Sequence, residues 1–188
     1  MTFPSHDLDS APEASKPLLE QSQKAFGRLP GLHKVLAESP QAYEGYQVLH
    51  KLFTETDFDA EELTVVWQAI NVENECHYCV PAHTGIAKMM KVSEEISEAL
   101  RNETPLPTPK LEALRTFTVQ MFRDRGNVSD AQMQAFFDAG YGHRAVLDVV
   151  LGMAQKTMSN YVNHVAQTPV DEVFKPLAWT RSDTPLKV

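Results

Sequence analysis

The sequence has 188 residues, long enough for one domain to bury a core without disulfide staples. Its 25 acidic residues outnumber 17 basic ones, for a net charge of −8, which argues against a nucleic-acid-binding or anionic-membrane surface, since both need clustered Lys and Arg. There is no run of about 18 apolar residues, and Met1 to Asp7 lack the basic start and apolar stretch of a secretory signal, so a soluble, cytoplasmic protein is expected.

Residues 1–12 are polar, hold two prolines and show no period, and read as a loose N-terminal arm. Glu13 to Phe26 reads as a helix anchored by Leu18, Leu19 and Phe26 and stopped by Gly27. After the turn Arg28-Leu29-Pro30-Gly31, Leu32, Val35 and Leu36 mark a short helix, and Gln41 to Thr54 a longer one carrying Tyr46, Leu49 and Phe53. Asp59 is placed to cap the next helix, with Glu61 and Glu62 in a first turn that favours anions and Leu63, Val66, Trp67 and Ile70 as its stripe. That helix is expected to lead straight into the cysteine segment.

Beyond it, Ile86, Met89 and Met90 continue a helix to the basic end at Lys88 and Lys91, and Ser93 opens another with Ile96 and Leu100. Residues 102–109 hold three prolines and form a loop, because proline fixes φ and lacks an N–H. Leu111 to Phe122 and Met133 to Phe137 mark two further helices. The longest run, about Gly142 to Gln167, places Val146, Leu147, Val150, Leu151, Ala154, Met158, Tyr161, Val162 and Val165 where they sustain a buried face. The tail from about residue 168 carries Phe174, Leu177 and Trp179, apolar enough to dock, on another subunit among other places. No strand-like alternation appears, so the fold class is all-α: residues 13–188 form a single multi-helix bundle.

The chemistry concentrates in Glu73-Asn74-Glu75-Cys76-His77-Tyr78-Cys79-Val80-Pro81-Ala82-His83, which holds both cysteines of the chain. At helical spacing Cys76, Cys79 and His83 share one face. A CxxC pair at a helix N-terminus is suited to redox work, because free backbone N–H groups and the helix dipole stabilise the attacking thiolate. Side chains three apart on a helix have Cβ atoms about 5–6 Å apart, whereas a disulfide wants about 3.5–4.5 Å, so closure must deform the first turn. Pro81 cannot donate to the His77 carbonyl, which makes this turn either the true first turn or a loosened one. His83 is placed to take the proton of Cys79 or to stabilise its thiolate. Glu75, with Glu73, is placed to tune that histidine, and His77 to modulate the pair. Tyr78 reads as a pocket wall, and His50 and Trp67 as core or interface. Asn160, Tyr161, Asn163 and His164 form a polar cluster on the last long helix that is within reach of the site or satisfies buried backbone.

With the preceding helix and the segment Leu29-Pro30-Gly31-Leu32-His33-Lys34-Val35-Leu36, the C-x2-C-x3-H core resembles the AhpD-like branch of the carboxymuconolactone decarboxylase family. The resemblance spans residues 27 to 167. It implies an all-helical alkylhydroperoxidase fold, assembly as homo-oligomers (trimers or hexamers), and reduction of a hydroperoxide by the cysteine pair. A lipoyl- or thioredoxin-type dithiol donor would then reset the thiols. By position it implies Cys79 as the attacking thiol, Cys76 as the resolving one and His83 in a proton relay. The family's relay glutamate lies twelve residues before the first cysteine, where this chain has Thr64; Glu62 is the nearest acid, two residues away. Where some members carry a histidine before the second cysteine, this chain has Tyr78.

The alternatives are a carboxymuconolactone-type decarboxylase, which has no use for a cysteine pair, and a redox-sensing or zinc-binding module using Cys76, Cys79 and His83 as ligands. No flavin or nicotinamide fingerprint is present, so no cofactor is expected and a partner must supply the electrons.

Overall fold

The computed structural model of the chain describes residues 3–181. Among the described residues there are nine α-helices and no strand: α1 Lys16–Phe26, α2 Gly31–Leu36, α3 Pro40–Thr54, α4 Ala60–Glu73, α5 Cys79–Met89, α6 Glu94–Arg101, α7 Pro109–Arg123, α8 Asp130–Asp138 and α9 His143–Ala166. Two short 3₁₀ segments, Glu13–Ser15 and Glu172–Leu177, flank the bundle. None of the described helices is long and apolar enough to cross a membrane.

Local chemistry sets most of the starts. Asp59 and Glu62 form a reciprocal capping box on α4, as do Ser129 and Gln132 on α8, while Ser39, Ser93 and Thr108 each accept a backbone N–H at the starts of α3, α6 and α7. The stops are less conventional. Glu75, Lys91, Glu103, Arg125 and Gln167 all take positive φ just past a helix, and the following N–H returns to a carbonyl five residues back, as Cys76 N does to Asn71 O at 3.0 Å. These are left-handed helix ends made without glycine, each carrying a conformational cost of about 1–2 kcal/mol. The one at Glu75 breaks α4 from the cysteine turn, so α4 does not run straight into it.

Helix α4 is the axis of the fold: Glu62 through Val72 are all buried, and α5, α6, α7 and α9 pack around it. One core cluster joins Val66, Trp67 and Ile70 to Leu114 and Phe117 of α7 and Phe136 of α8. A second joins Leu19, Leu32, Leu36, Tyr43 and Tyr46 to Cys76, Tyr78 and Cys79. At Gly152, α9 comes so close to α3 and α4 that a Cβ would sit 2.7 Å from Phe53.

Two expectations change and one, the docking of the tail, becomes specific. Residues 3–12 carry no helix yet are tied down, with His6 N donating to Lys34 O at 3.0 Å and Ala11 buried. The tail docks on its own chain: Phe174 fills the space a side chain at Gly85 would need, and Trp179 Nε1 donates to Arg101 O at 2.8 Å. Most consequentially, α9 is rotated from the expected face, so that Val146, Leu151, Met158 and Val162 only flank the core. Its buried residues are Val149, Gly152, Gln155, Lys156, Ser159, Asn160 and Asn163, whereas Leu147, Val150, Tyr161 and Val165 are exposed. The polar side packs inward because its groups find buried partners there, which satisfies them as well as water would.

Candidate active site

Cys79 is the first residue of α5 and Cys76 lies in the turn before it, so the pair does sit at a helix N-terminus and Pro81 lies in a true first turn, where its missing N–H costs nothing. Both thiols are free and buried. Cys79 N donates to Cys76 Sγ at 3.2 Å, and Val80 N to Cys76 O at 3.1 Å. Only Cys79 lines the large cavity of about 640 Å³ that opens beside the turn.

The inward face of α9 completes the site. Lys156, Asn160 and Asn163 follow one another at four and three residues, which puts them on one side of the helix. Asn163 Nδ2 donates to Cys79 Sγ at 3.2 Å. Asn160 is locked beneath, donating to Asn71 Oδ1 at 2.9 Å and accepting from Asn74 Nδ2 at 2.8 Å. Lys156 Nζ is fully buried, 2.8 Å from His83 Nε2.

These contacts divide the two thiols. Burial pushes the Cys79 thiol up, but the hydrogen bond from Cys76, the Lys156 charge and the amides of Asn163 and Asn160 outweigh it and bring it down to about 6. Cys76 moves the other way, because its hydrogen bond to Cys79, its burial and the Cys79 charge all keep its proton on. These contacts favour a thiolate on Cys79 and a retained proton on Cys76. Burial, and after it the Lys156 charge, holds His83 well below the usual histidine range. Its Nε2 lies 2.8 Å from Lys156 Nζ, and its buried Nδ1 has no hydrogen-bond partner among the described residues. Lys156 itself is lowered by burial and partly restored by the two cysteines.

The other sequence candidates fall outside this cluster. Thr64 is buried but its hydroxyl donates to Ala60 O. Glu62 is spent on the α4 cap, the Tyr141 hydroxyl at 3.0 Å and Lys110 at 2.8 Å. Glu75 is exposed and pairs with Arg181, while Glu73 pairs with Arg123 and Arg181, so neither tunes His83. His77 is exposed, its ring 3.2 Å from Thr168 O. Tyr78 is a cavity wall whose hydroxyl donates to Asp171 and accepts from Leu32 N. Of the polar cluster on α9, Asn160 and Asn163 reach the site and Tyr161 and His164 face outward. Among the described residues no group of three His, Cys, Asp or Glu is arranged to hold a metal.

Sequence reasoning missed Lys156. Its signal was there: Gly152, Lys156, Asn160 and Asn163 form a small and polar stripe at helical spacing along one side of the helix.

No family model matches the chain, nor does any curated protein. Solved structures do match. The alkylhydroperoxidase AhpD core of an uncharacterised peroxidase-related protein from Ralstonia eutropha JMP134 superimposes with a TM-score of 0.82, at 19% identity, over 92% of this chain and 93% of that one. The fold is AhpD-like. A peroxidase-related protein from Silicibacter sp. TM1040 gives 0.78 at 17% identity, over 93% and 92%. A cysteine-to-alanine variant of the debrominase Bmp8, in complex with 2,3,4-tribromopyrrole, gives 0.78 at 13% identity, over 94% and 95%. At these identities the likeness is one of fold, and the AhpD-like scaffold is shared by proteins described as peroxidase-related and by a dehalogenating one.

Proposed function

We propose that this AhpD-like chain is a thiol-dependent peroxidase of the disulfide-oxidoreductase type, acting on a hydroperoxide in a reducing compartment such as the cytoplasm. The observation that carries it is Cys79 at the cavity, its sulfur accepting from Asn163, with Cys76 Sγ 3.2 Å from the Cys79 backbone nitrogen. The Cys79 thiolate attacks the terminal peroxide oxygen, the O–O bond breaks, and Lys156 supplies the proton that the leaving alkoxide needs. Sulfur is oxidised by two electrons to the sulfenic acid and the peroxide becomes an alcohol. The Cys76 thiol then condenses with the sulfenic acid, releasing water and closing a disulfide. A lipoyl- or thioredoxin-type dithiol reopens it by exchange, itself becoming the disulfide.

Free thiols counted before and after one equivalent of hydroperoxide test this. Loss of both thiols, with a mass fall of about two hydrogens per chain and turnover once a dithiol is added, is the expected result. Oxidation that stops at one equivalent whatever dithiol is supplied would overturn it.

The exposed stripe Leu147, Val150, Tyr161 and Val165 on α9 supports assembly with further copies of the chain as a trimer or hexamer. Sedimentation is expected to show such an oligomer, and Leu147→Asp with Tyr161→Asp to release monomers; a wild-type monomer at micromolar concentration sinks the idea.

A further inference from the structure

Four amide side chains are fully buried beside the cysteine turn, Gln68 and Asn71 on α4 and Asn160 and Asn163 on α9. Burying them costs desolvation that an apolar set of the same volume would avoid, and what they supply in exchange is orientation. Groups that can only accept settle which way the amides face. Gln68 Nε2 donates to Val80 O at 3.1 Å and to Thr84 Oγ1 at 3.2 Å, and the Thr84 hydroxyl already gives its own proton to Val80 O at 2.8 Å. That turns Gln68 Oε1 toward Asn71, whose Nδ2 donates to it at 2.9 Å and lies 3.5 Å from Cys79 O. Asn71 Oδ1 then accepts from Asn160 Nδ2 at 2.9 Å, and Asn160 Oδ1 from Asn74 Nδ2 at 2.8 Å. Reversing Asn71 alone would set oxygen against oxygen on one side and N–H against N–H on the other.

Asn71 is where this row meets the cysteine pair. Its backbone carbonyl accepts from Cys76 N at 3.0 Å and its side chain faces Cys79 O, so one residue of α4 spans the whole turn. Through Asn160 it also ties down α9. Asn163 follows Asn160 by about one helical turn, and its Nδ2 donates to Cys79 Sγ at 3.2 Å. The other end of that amide, Asn163 Oδ1, is buried and has no partner among the described residues. The separation of α9 from the turn therefore keeps the donor on the sulfur, with no second bond of Asn163 to do so. A hydrogen bond weakens steeply as it is misaligned, and at a sulfur as buried as that of Cys79 solvent does not replace it. Asn163 and Asn160 are both among the groups that lower the Cys79 thiol.

We infer that Asn71 is a positioning residue for Cys79: it ties the helix that carries Asn163 to the turn that carries the sulfur, and so holds the donor on the atom that attacks. What the sulfur attacks rests on the peroxidase reading; where the donor sits does not.

The test reads the sulfur directly. Alkylation of Cys79, located by peptide mass, is followed against pH in the full-length wild-type chain, Asn71→Leu, Asn163→Leu and the double variant. Losing a hydrogen bond to a charged group raises the midpoint of a thiol by about one pH unit, and each single variant is expected to titrate about that far above wild type. Because Asn71 acts through Asn163, the double variant is expected to rise little above Asn163→Leu, a coupling that independent damage to the fold does not produce. Shifts that add in the double variant, or an Asn71→Leu midpoint equal to that of wild type, overturn the assignment. Asn71→Leu leaves Gln68 Oε1 and Asn160 Nδ2 without partners. If circular dichroism shows it unfolded, Asn71→Ser, which leaves room for water to bridge them, runs the same cycle with the same outcomes.

Thiol loss with one equivalent of hydrogen peroxide or tert-butyl hydroperoxide is measured on the same chains. Coupled midpoints with no thiol loss uphold Asn71 as positioning the sulfur and overturn the peroxidase reading. Additive midpoints with normal thiol loss overturn the role of Asn71 and leave the peroxidase standing.

Discussion

Replacing Lys156 by Met is expected to lower turnover with hydroperoxide by about 10²- to 10³-fold while leaving the melting temperature unchanged or higher. The two effects separate because the ammonium serves the chemistry and burdens the fold. Burial lowers its pKa, meaning the structure resists the charge it holds. A methionine fills similar volume with nothing to desolvate. The chemistry loses two things at once: the cation that helps hold Cys79 as thiolate, and the proton for the departing alkoxide. The first loss can be read apart from turnover. Alkylation of Cys79 in the wild-type chain should rise as pH climbs through about 6, since the thiolate is the reacting form. In Lys156→Met the burial that raises the pKa remains and a leading cause of its lowering is gone, so the midpoint moves up. An unmoved alkylation profile with normal turnover would remove Lys156 from the mechanism.

The two cysteines are expected to fail differently. Cys79→Ser should lose hydroperoxide turnover by about 10³-fold or more, because serine has no thiolate to offer. Cys76→Ser should still consume one equivalent of hydroperoxide but stop at a sulfenic acid, which a dimedone adduct at Cys79 would reveal by mass. The asymmetry follows from geometry: Cys79 faces the cavity and accepts from Asn163, while Cys76 lies behind it with its proton held on. Dimedone labelling at Cys76 in a Cys79→Ser chain that still turns over would reverse the roles.

Helix α9 shows how far pattern alone carries. Its apolar residues at helical spacing gave the right element and the wrong inner face. Hydrophobicity says which residues avoid water, but Gln155, Lys156, Asn160 and Asn163 are inside because partners from α3, α4 and α5 meet them: His50, Trp67, Asn71, Asn74, Cys79 and His83. Those partners lie many residues away in sequence. The stripe at Leu147, Val150, Tyr161 and Val165 is left to the surface of the single chain. The carboxylates erred for a related reason. Glu62 and Glu75 sit near the cysteines in sequence, yet one is consumed by a helix cap and the other points to Arg181.

Starts and stops divide along the same line. Asp59 and Ser93 were readable as helix starts because their side chains bond backbone only three residues on. The ends at Glu75, Lys91 and Glu103 carry no glycine to mark them.

By itself, then, the sequence determined the all-helical class, most helix positions, and the pairing of Cys76 and Cys79 at a helix start, because each depends on spacing within one or two turns. Only the tertiary structure decided that Cys79 and not Cys76 lines the cavity, that Asn163 donates to Cys79, and that Lys156 stands beside His83. Those depend on side chains from α3, α4, α5 and α9 meeting in one buried place, and burial is what turns their small electrostatic differences into large ones.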